Sequence, residues 1–300
     1  TVDATVATDN VINAAEQSAG VTLTGTAEAG SSVVVTLDSV SHTVTADSSG
    51  NWSSLFTSSE IATGTYTAAI TAVSTDLAGN VATTTGTVDV DTVGPAIGFD
   101  TVEGDDVINA TEASDGVVLT GTGEAGASIE VTFQGETQTT TVASDGTWSA
   151  SYTASSITSG TYDSTVSVTS TDAAGNSTTS THLVQVDTET SVTLDTALAT
   201  DNIINGTEQS AGVTLTGTAE AGSSVVVTLG SVSHTVTTDS SGNWSSLFTS
   251  SEIPTGEYTA AISAVSTDLA GNTATTSGTV EVDTVAPPIG FDTVEGDDVI

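Results

Sequence analysis

The chain has 300 residues, 38 Asp plus Glu and no Lys or Arg, so its net charge is −38. Nothing in it can neutralise a phosphate, which excludes nucleic acid as a partner, and anionic membrane surfaces are excluded on the same ground. Cys is absent and the three His are the only side chains that become cations near neutral pH, so disulfides are excluded and crowded carboxylates can be relieved only by water, protonation or a bound metal.

Read in chain order, the segments are short, β-branched and alternating. A turn-rich stretch, TDNVINAAE (8–16), leads into VTLTGTA (21–27). An acidic loop at Glu28 is followed by SSVVVTL (31–37), HTVTA (42–46) and NWSSLFT (51–57). TYTAAITAVST (65–75) turns through TDLAGN (75–80) into TTTGTVDV (83–90) and a linker that carries Asp91. Gly, Asn, Asp and Ser punctuate these segments every 8–12 residues, which predicts a sandwich or barrel of about seven strands. Thr, Ser, Val and Gly dominate, so helix signals are poor.

The whole series then repeats with a period of 96 residues. Trp52, Trp148 and Trp244 keep that spacing, as do Tyr66, Tyr162 and Tyr258. TDNVINAAE returns as GDDVINATE (104–112) and TDNIINGTE (200–208), and STDLAGN (74–80) as STDAAGN (170–176) and STDLAGN (266–272). The first and third copies are nearly identical and the second differs, while GFDTVEGDDVI (98–108) reappears at 290–300. The expected organisation is therefore a type A repeat at 1–91, a type B repeat at 92–187, a second type A repeat at 188–283 and the start of a further type B repeat at 284–300. The pattern stops midway at Ile300, as expected of an excerpt from something longer. The sequence shows no signal peptide and no apolar run of 18 residues, so no membrane span is expected. A fixed Trp and a fixed Tyr in every copy, with inward Val, Leu and Ile, are read as the core.

The run of GNW, GTY and TDxAGN motifs, in fixed order and spacing over the whole chain, resembles the bacterial Ig-like repeats that build the extender regions of giant type-I-secreted surface adhesins of Gram-negative bacteria. The resemblance implies an all-β fold of tandem Ig-like β-sandwich domains arranged end to end as a rod. It also implies export to the cell surface, a role in cell adhesion or biofilm formation, and Ca²⁺ at or near the domain junctions.

Five acidic positions recur in all three copies: Asp9/Asp105/Asp201, Glu16/Glu112/Glu208, Glu28/Glu124/Glu220, Asp76/Asp172/Asp268 and Asp91/Asp187/Asp283. In an Ig-type sandwich the B–C and F–G loops lie at the end where the chain comes in. Glu124 is placed in a B–C loop and Asp172 in an F–G loop, both facing the linker with Asp91. Asp9 and Glu16 are placed at the opposite end of the preceding domain. One junction is thus expected to gather Asp9, Glu16, Asp91, Glu124 and Asp172, and the next Asp105, Glu112, Asp187, Glu220 and Asp268. Asp201, Glu208 and Asp283 form the corresponding half of a third. Carboxylates and loop carbonyls with no Cys suit a hard cation, and irregular loops offering six to eight oxygens suit Ca²⁺ better than Mg²⁺. Two other readings stand beside ligation: TDxAGN as a plain Asx-turn, and Glu28 as an ordinary loop acid.

An enzyme is not expected. His42 and His234 are equivalent, but the second copy has Gln138 there, and each sits in an alternating strand as solvent-face filler; His182 stands alone in a last strand. No nucleophile–base pair is evident. The expected function is a calcium-rigidified spacer that projects a terminal adhesive domain. Its partners are calcium and neighbouring repeats, with homotypic contacts to other chains as a further option. The alternative is that the repeats themselves bind glycans or their twins, although aromatic residues are only 4% of the chain.

Overall fold

The computed structural model describes residues 1–3, 7–195 and 201–290. The last ten residues, which carry most of the expected fourth repeat, lie outside the described residues. The first repeat comprises β1 (Val11–Ile12), α1 (Ala14–Ala19), β2 (Val21–Thr26), β3 (Ser32–Leu37), β4 (Val40–Thr45), β5 (Asn51–Phe56), β6 (Thr65–Thr75) and β7 (Val81–Asp91). The second comprises β8 (Ile97–Phe99), β9 (Val107–Ile108), α2 (Ala110–Asp115), β10 (Val117–Gly123), β11 (Ser128–Phe133), β12 (Glu136–Thr141), β13 (Thr147–Tyr152), β14 (Thr161–Thr171) and β15 (Ser177–Asp187). The third comprises β16 (Ile203–Asn205), α3 (Gly206–Ala211), β17 (Val213–Thr218), β18 (Ser224–Leu229), β19 (Val232–Thr237), β20 (Asn243–Phe248), β21 (Glu257–Thr267) and β22 (Thr273–Asp283).

Each repeat is a β-sandwich. In the first, a sheet of order β1-β7-β6-β3-β4 faces the pair β2-β5. The third repeats this arrangement as β16-β22-β21-β18-β19 and β17-β20. The second has the sheets β12-β11-β14-β15-β9 and β13-β10-β8. The short strands β1, β9 and β16 run parallel to the end of the last strand of their repeat, and the other ladders whose register is given are antiparallel.

The alternation seen in the sequence is the alternation of burial. Val21 and Leu23 of β2, Val33, Val35 and Leu37 of β3, and Trp52 and Phe56 of β5 point into one cluster with Ile70, Val88 and Val90. The third repeat builds the same cluster from Val213, Leu215, Val225, Val227, Trp244 and Phe248. Trp52, Trp148 and Trp244 are each 3% exposed, so none is available as a platform for a sugar. Across the ladder each Trp is paired with a glycine, Gly25, Gly121 or Gly217. A Cβ there would collide with the indole ring and with a carbonyl of the segment before the strand. The fixed Gly of LTGT is thus a seat for the Trp ring.

Three sequence expectations change. First, the recurring Tyr sits at the edge of the core and not within it: Tyr66 is half-buried against the core cluster and Tyr258 is exposed, and their hydroxyls donate to Ala62 O (3.0 Å) and Pro254 O (2.8 Å). The buried Tyr of the second repeat is Tyr152, in the place of Phe56, with its hydroxyl donating to Val131 O at 2.8 Å. Second, each repeat contains a six-residue helix. Its start is fixed by Asn-x-x-Glu. Asn13 Oδ1 accepts from Glu16 N and Glu16 Oε2 accepts from Asn13 N, and the same reciprocal pair joins Asn109 with Glu112 and Asn205 with Glu208. Third, the histidines are not solvent-face filler. His42 stacks on Phe56 at 4.4 Å and bonds Ser54 Oγ (3.1 Å) and Glu60 Oε1 (2.9 Å); His234 does the same with Phe248, Ser246 and Glu252. His182 is not isolated either: it stacks on Phe99 and pairs with Asp106 at 2.8 Å. The chain's few bases are each drawn to a carboxylate and an aromatic face, where a half-buried imidazole is best satisfied.

By its contacts the chain divides into two compact units. One holds 1–106, 116–157 and 163–184, and the other 107–115, 158–162 and 185–300. Each segment that joins consecutive repeats falls inside a single unit, with its linker acid, the preceding helix and the following TDxAGN loop.

Candidate metal centre

In the second unit, β15 ends at Asp187, the loop between β17 and β18 carries Glu220, and the hairpin turn between β21 and β22 carries Asp268. One carboxylate oxygen from each lies within 4.8 Å of the other two. Oxygens bound to one Ca²⁺ at 2.3–2.6 Å can lie at most about 5 Å apart, so the spacing is compatible with a shared hard cation. Asp187 and Asp268 are buried and Glu220 is exposed. The three His, the chain's only basic side chains, are paired elsewhere, with Glu60, Asp106 and Glu252. The consequence is visible in Glu220, whose carboxyl is pushed above the usual carboxylate range by partial burial and by the charges of Asp187 and Asp268.

Local hydrogen bonds fix two of the three. Asp268 belongs to a closed turn: Oδ1 accepts from Asn272 N at 2.8 Å, Oδ2 from Asn272 Nδ2 at 2.9 Å, and Asp268 N donates to Asn272 O. Asp187 Oδ1 accepts from Thr161 Oγ1 at 2.8 Å. A carboxylate has about four acceptor sites, so the turn and a cation do not compete for the same lone pairs. The Asx-turn and ligation readings of TDxAGN are therefore compatible.

The other expected positions are placed as follows. At the first junction Asp172 makes the same turn with Asn176. Asp91 Oδ1 accepts from Thr65 Oγ1 (2.9 Å) and Val93 N (3.3 Å), and Glu124 sits in the loop between β10 and β11. No three acidic ligand atoms come as close there as in the second unit, among the described residues. Glu16, Glu112 and Glu208 each give an oxygen to the helix cap described above. Asp9 and Asp201 hold the turn before β1 and β16 by accepting from Val11 N and Ile203 N. Asp283 accepts from Val285 N. Asp105 donates its backbone N–H to Val102 O within the turn before β9. None of these seven lies in the Asp187–Glu220–Asp268 group. Asp76, in the first repeat, is held below the usual carboxylate range by the side chain and backbone N–H of Asn80. Glu28 lies in the loop between β2 and β3, where its carbonyl accepts from Ser31 N.

The residue that the sequence reading passed over is the Asn closing TDxAGN. The motif reads as a turn, yet Asn176 Nδ2 donates to Asp91 O at 2.9 Å, and Asn272 Nδ2 to Asp187 O at 2.8 Å. Its signal was present: an Asn at the same place in every copy, where a turn alone asks only for a residue tolerant of the loop.

The family model described as a bacterial Ig-like domain matches residues 3–92 and 189–284, and that described as a bacterial Ig domain matches residues 105–187. Among similar solved structures is a Ca²⁺-stabilized adhesin that helps an Antarctic bacterium reach out and bind ice. It is 33% identical, over 95% of this chain and 74% of that one, with a TM-score of 0.45. Another concerns host cell surface retention of a 1.5-MDa bacterial ice-binding adhesin; it is 30% identical, over 95% of this chain and 97% of that one, with a TM-score of 0.45. A bacterial immunoglobulin-like domain from the M. primoryensis ice-binding adhesin is 35% identical, over 31% of this chain and 98% of that one, with a TM-score of 0.26. No match was found among curated proteins.

Proposed function

The chain belongs to the bacterial Ig-like domain family, and on that footing we propose that it is a calcium-rigidified spacer within a cell-surface adhesin, holding a terminal adhesive domain away from the bacterium. The observation that carries this reading is the convergence of Asp187, Glu220 and Asp268. The three come from the linker and from two loops of the repeat that follows it. Without a cation the group is a repulsive cluster of like charges, with one oxygen of each within 4.8 Å of the others. A divalent ion reverses that sign and ties linker to loops. Ca²⁺ fits the donor set best: carboxylates and nearby carbonyls, no thiolate and no imidazole.

The first junction, with Asp91, Glu124 and Asp172, is proposed to bind a cation in the same way once their carboxylates turn together. Diffuse charge cannot replace such clamps in salty water, where the Debye length falls to a few ångströms. The location proposed is extracellular, on the cell surface, with roles in adhesion and biofilm formation. Burial of the three Trp removes the natural platforms for glycan stacking, so the spacer reading is favoured over a binding module.

The test is small-angle scattering of the chain against Ca²⁺ at fixed ionic strength. The expected result is a maximum dimension that grows and sharpens with Ca²⁺. A dimension that follows ionic strength and ignores Ca²⁺ removes the clamp.

A further inference from the structure

The carboxamide that closes TDxAGN is bonded identically at two places in the chain. Asn272 Nδ2 donates to Asp187 O (2.8 Å) and Asp268 Oδ2 (2.9 Å), and its Oδ1 accepts from Ala110 N at 2.7 Å. Asn176 Nδ2 donates to Asp91 O (2.9 Å) and Asp172 Oδ2 (2.9 Å), and its Oδ1 accepts from Ala14 N at 2.8 Å. Both side chains are buried. Each one touches three segments at once: its own loop, the linker, and the first residue of the helix in the preceding repeat. At the first junction Asn13 Nδ2 adds a return bond to Ala174 O at 3.1 Å.

The first repeat supplies a control. Asn80 is exposed, yet its loop closes in the same way, with Asn80 N and Nδ2 bonded to Asp76 and Asp76 N bonded to Asn80 O. The loop therefore does not need the two outward bonds in order to fold; they are additional, and they join repeats.

We propose that Asn176 and Asn272 are cation-independent latches that set the register of each junction and hold its linker acid and loop acid side by side for the cation. The second half of this statement rests on the calcium reading above; the first half does not. The polarity of the site accounts for the residue. Two acceptors face one end of the side chain and one N–H faces the other, so a donor pair and an acceptor are needed on one short planar group. Asp would offer no N–H and would add a carboxylate to the cluster, and Gln is one methylene longer.

Amide hydrogen exchange on the full chain in EDTA tests the latch, read at Ala110 and Ala14. In the wild type both amides are expected to be protected without calcium. Asn272→Ala is expected to speed exchange at Ala110 by roughly two- to tenfold, the factor a typical hydrogen bond represents, and to leave Ala14 unchanged as an internal control. Asn176→Ala is expected to do the reverse, so a folding failure in one variant does not silence the test. Equal exchange in wild type and variants, or protection in the wild type that appears only when Ca²⁺ is added, overturns the proposal. Calorimetric titration with Ca²⁺ then addresses the second half. Binding that is weaker in Asn272→Ala supports it, and equal binding in wild type and variant refutes it. Absence of binding to the wild type refutes the calcium reading and this second half, while the exchange result still decides the latch.

Discussion

Replacing Glu220 by Gln should change the sign of its effect between chelator and calcium. In EDTA the wild-type carboxylate faces Asp187 and Asp268, and partial burial first, then the repulsion of these two charges, raises the Glu220 pKa. Glu220 is exposed, so each of its two interactions is screened to about 1 kcal/mol or less, and Gln should relieve about 1–2 kcal/mol in all. For a domain of this size each kcal/mol moves Tm by about 4–8 °C. In Ca²⁺ at about a hundred times the dissociation constant, the wild type should gain roughly 2.7 kcal/mol per site; the variant, short of one carboxylate ligand, should gain far less. Scanning calorimetry in the two buffers is the assay. The variant should melt above the wild type in EDTA and below it in Ca²⁺. A pH series in EDTA adds a second signature. A carboxyl whose folded pKa is raised contributes stability below its ordinary pKa and loses it as pH rises through the raised value. That component should vanish in Glu220→Gln. A variant that melts lower than wild type in EDTA, or a pair of proteins indifferent to both buffers, would refute the reasoning.

Two further outcomes follow from the sandwiches themselves. Gly217→Ala should destabilise the third repeat by about 1–3 kcal/mol, because the new methyl meets the Trp244 ring and the Thr193 carbonyl; an unchanged melting curve would show that the Trp seat yields freely. Glu60 and Glu252 are held at about 2 by the Thr57 or Thr249 N–H, then by the same residue's hydroxyl, then by His42 or His234. Their folded pKa is depressed, so the stability they contribute is present above about 4.5 and is lost as pH falls toward 2. The double variant Glu60→Gln/Glu252→Gln should show a flatter acid limb in a pH series followed by circular dichroism, and an acid limb identical to wild type would dismiss these carboxylates as a source of acid sensitivity.

The sandwich was legible in the sequence because strand alternation and core burial share one period. Every second residue of VTLTGT and NWSSLF is buried, and the 96-residue spacing of Trp52, Trp148 and Trp244 marks the same seat three times. Loop placement was legible as well, since Glu220 and Asp268 needed only a topology to be set near a linker. The helices were not, because a six-residue helix is too short for periodicity to show, and its signal lies in the Asn13–Glu16 cap, of which the sequence reading takes only Glu16, as a ligand. The roles of the histidines were hidden for another reason: His42 meets Phe56 and Glu60, 14 and 18 residues away, and no local pattern encodes a stack across sheets. Asn272 was missed because its partners, Asp187 and Ala110, lie 85 and 162 positions back in the chain.

The six-residue helices carry a consequence for how an array of such repeats comes apart. Alone, a helix of that length does not persist in water. α1 and α2 each take their first N–H acceptor from the repeat that follows, while the loop supplying it closes without any help from the repeat before. The dependence is therefore directional. In a row whose stability is a sum of intrinsic and nearest-neighbour contributions, losing one repeat strips a cap from its N-terminal neighbour and leaves the loop of its C-terminal neighbour closed. Fraying should then travel toward the N-terminus, like a zipper with its slider at the other end, and a repeat in the middle of the row is protected chiefly by those downstream of it.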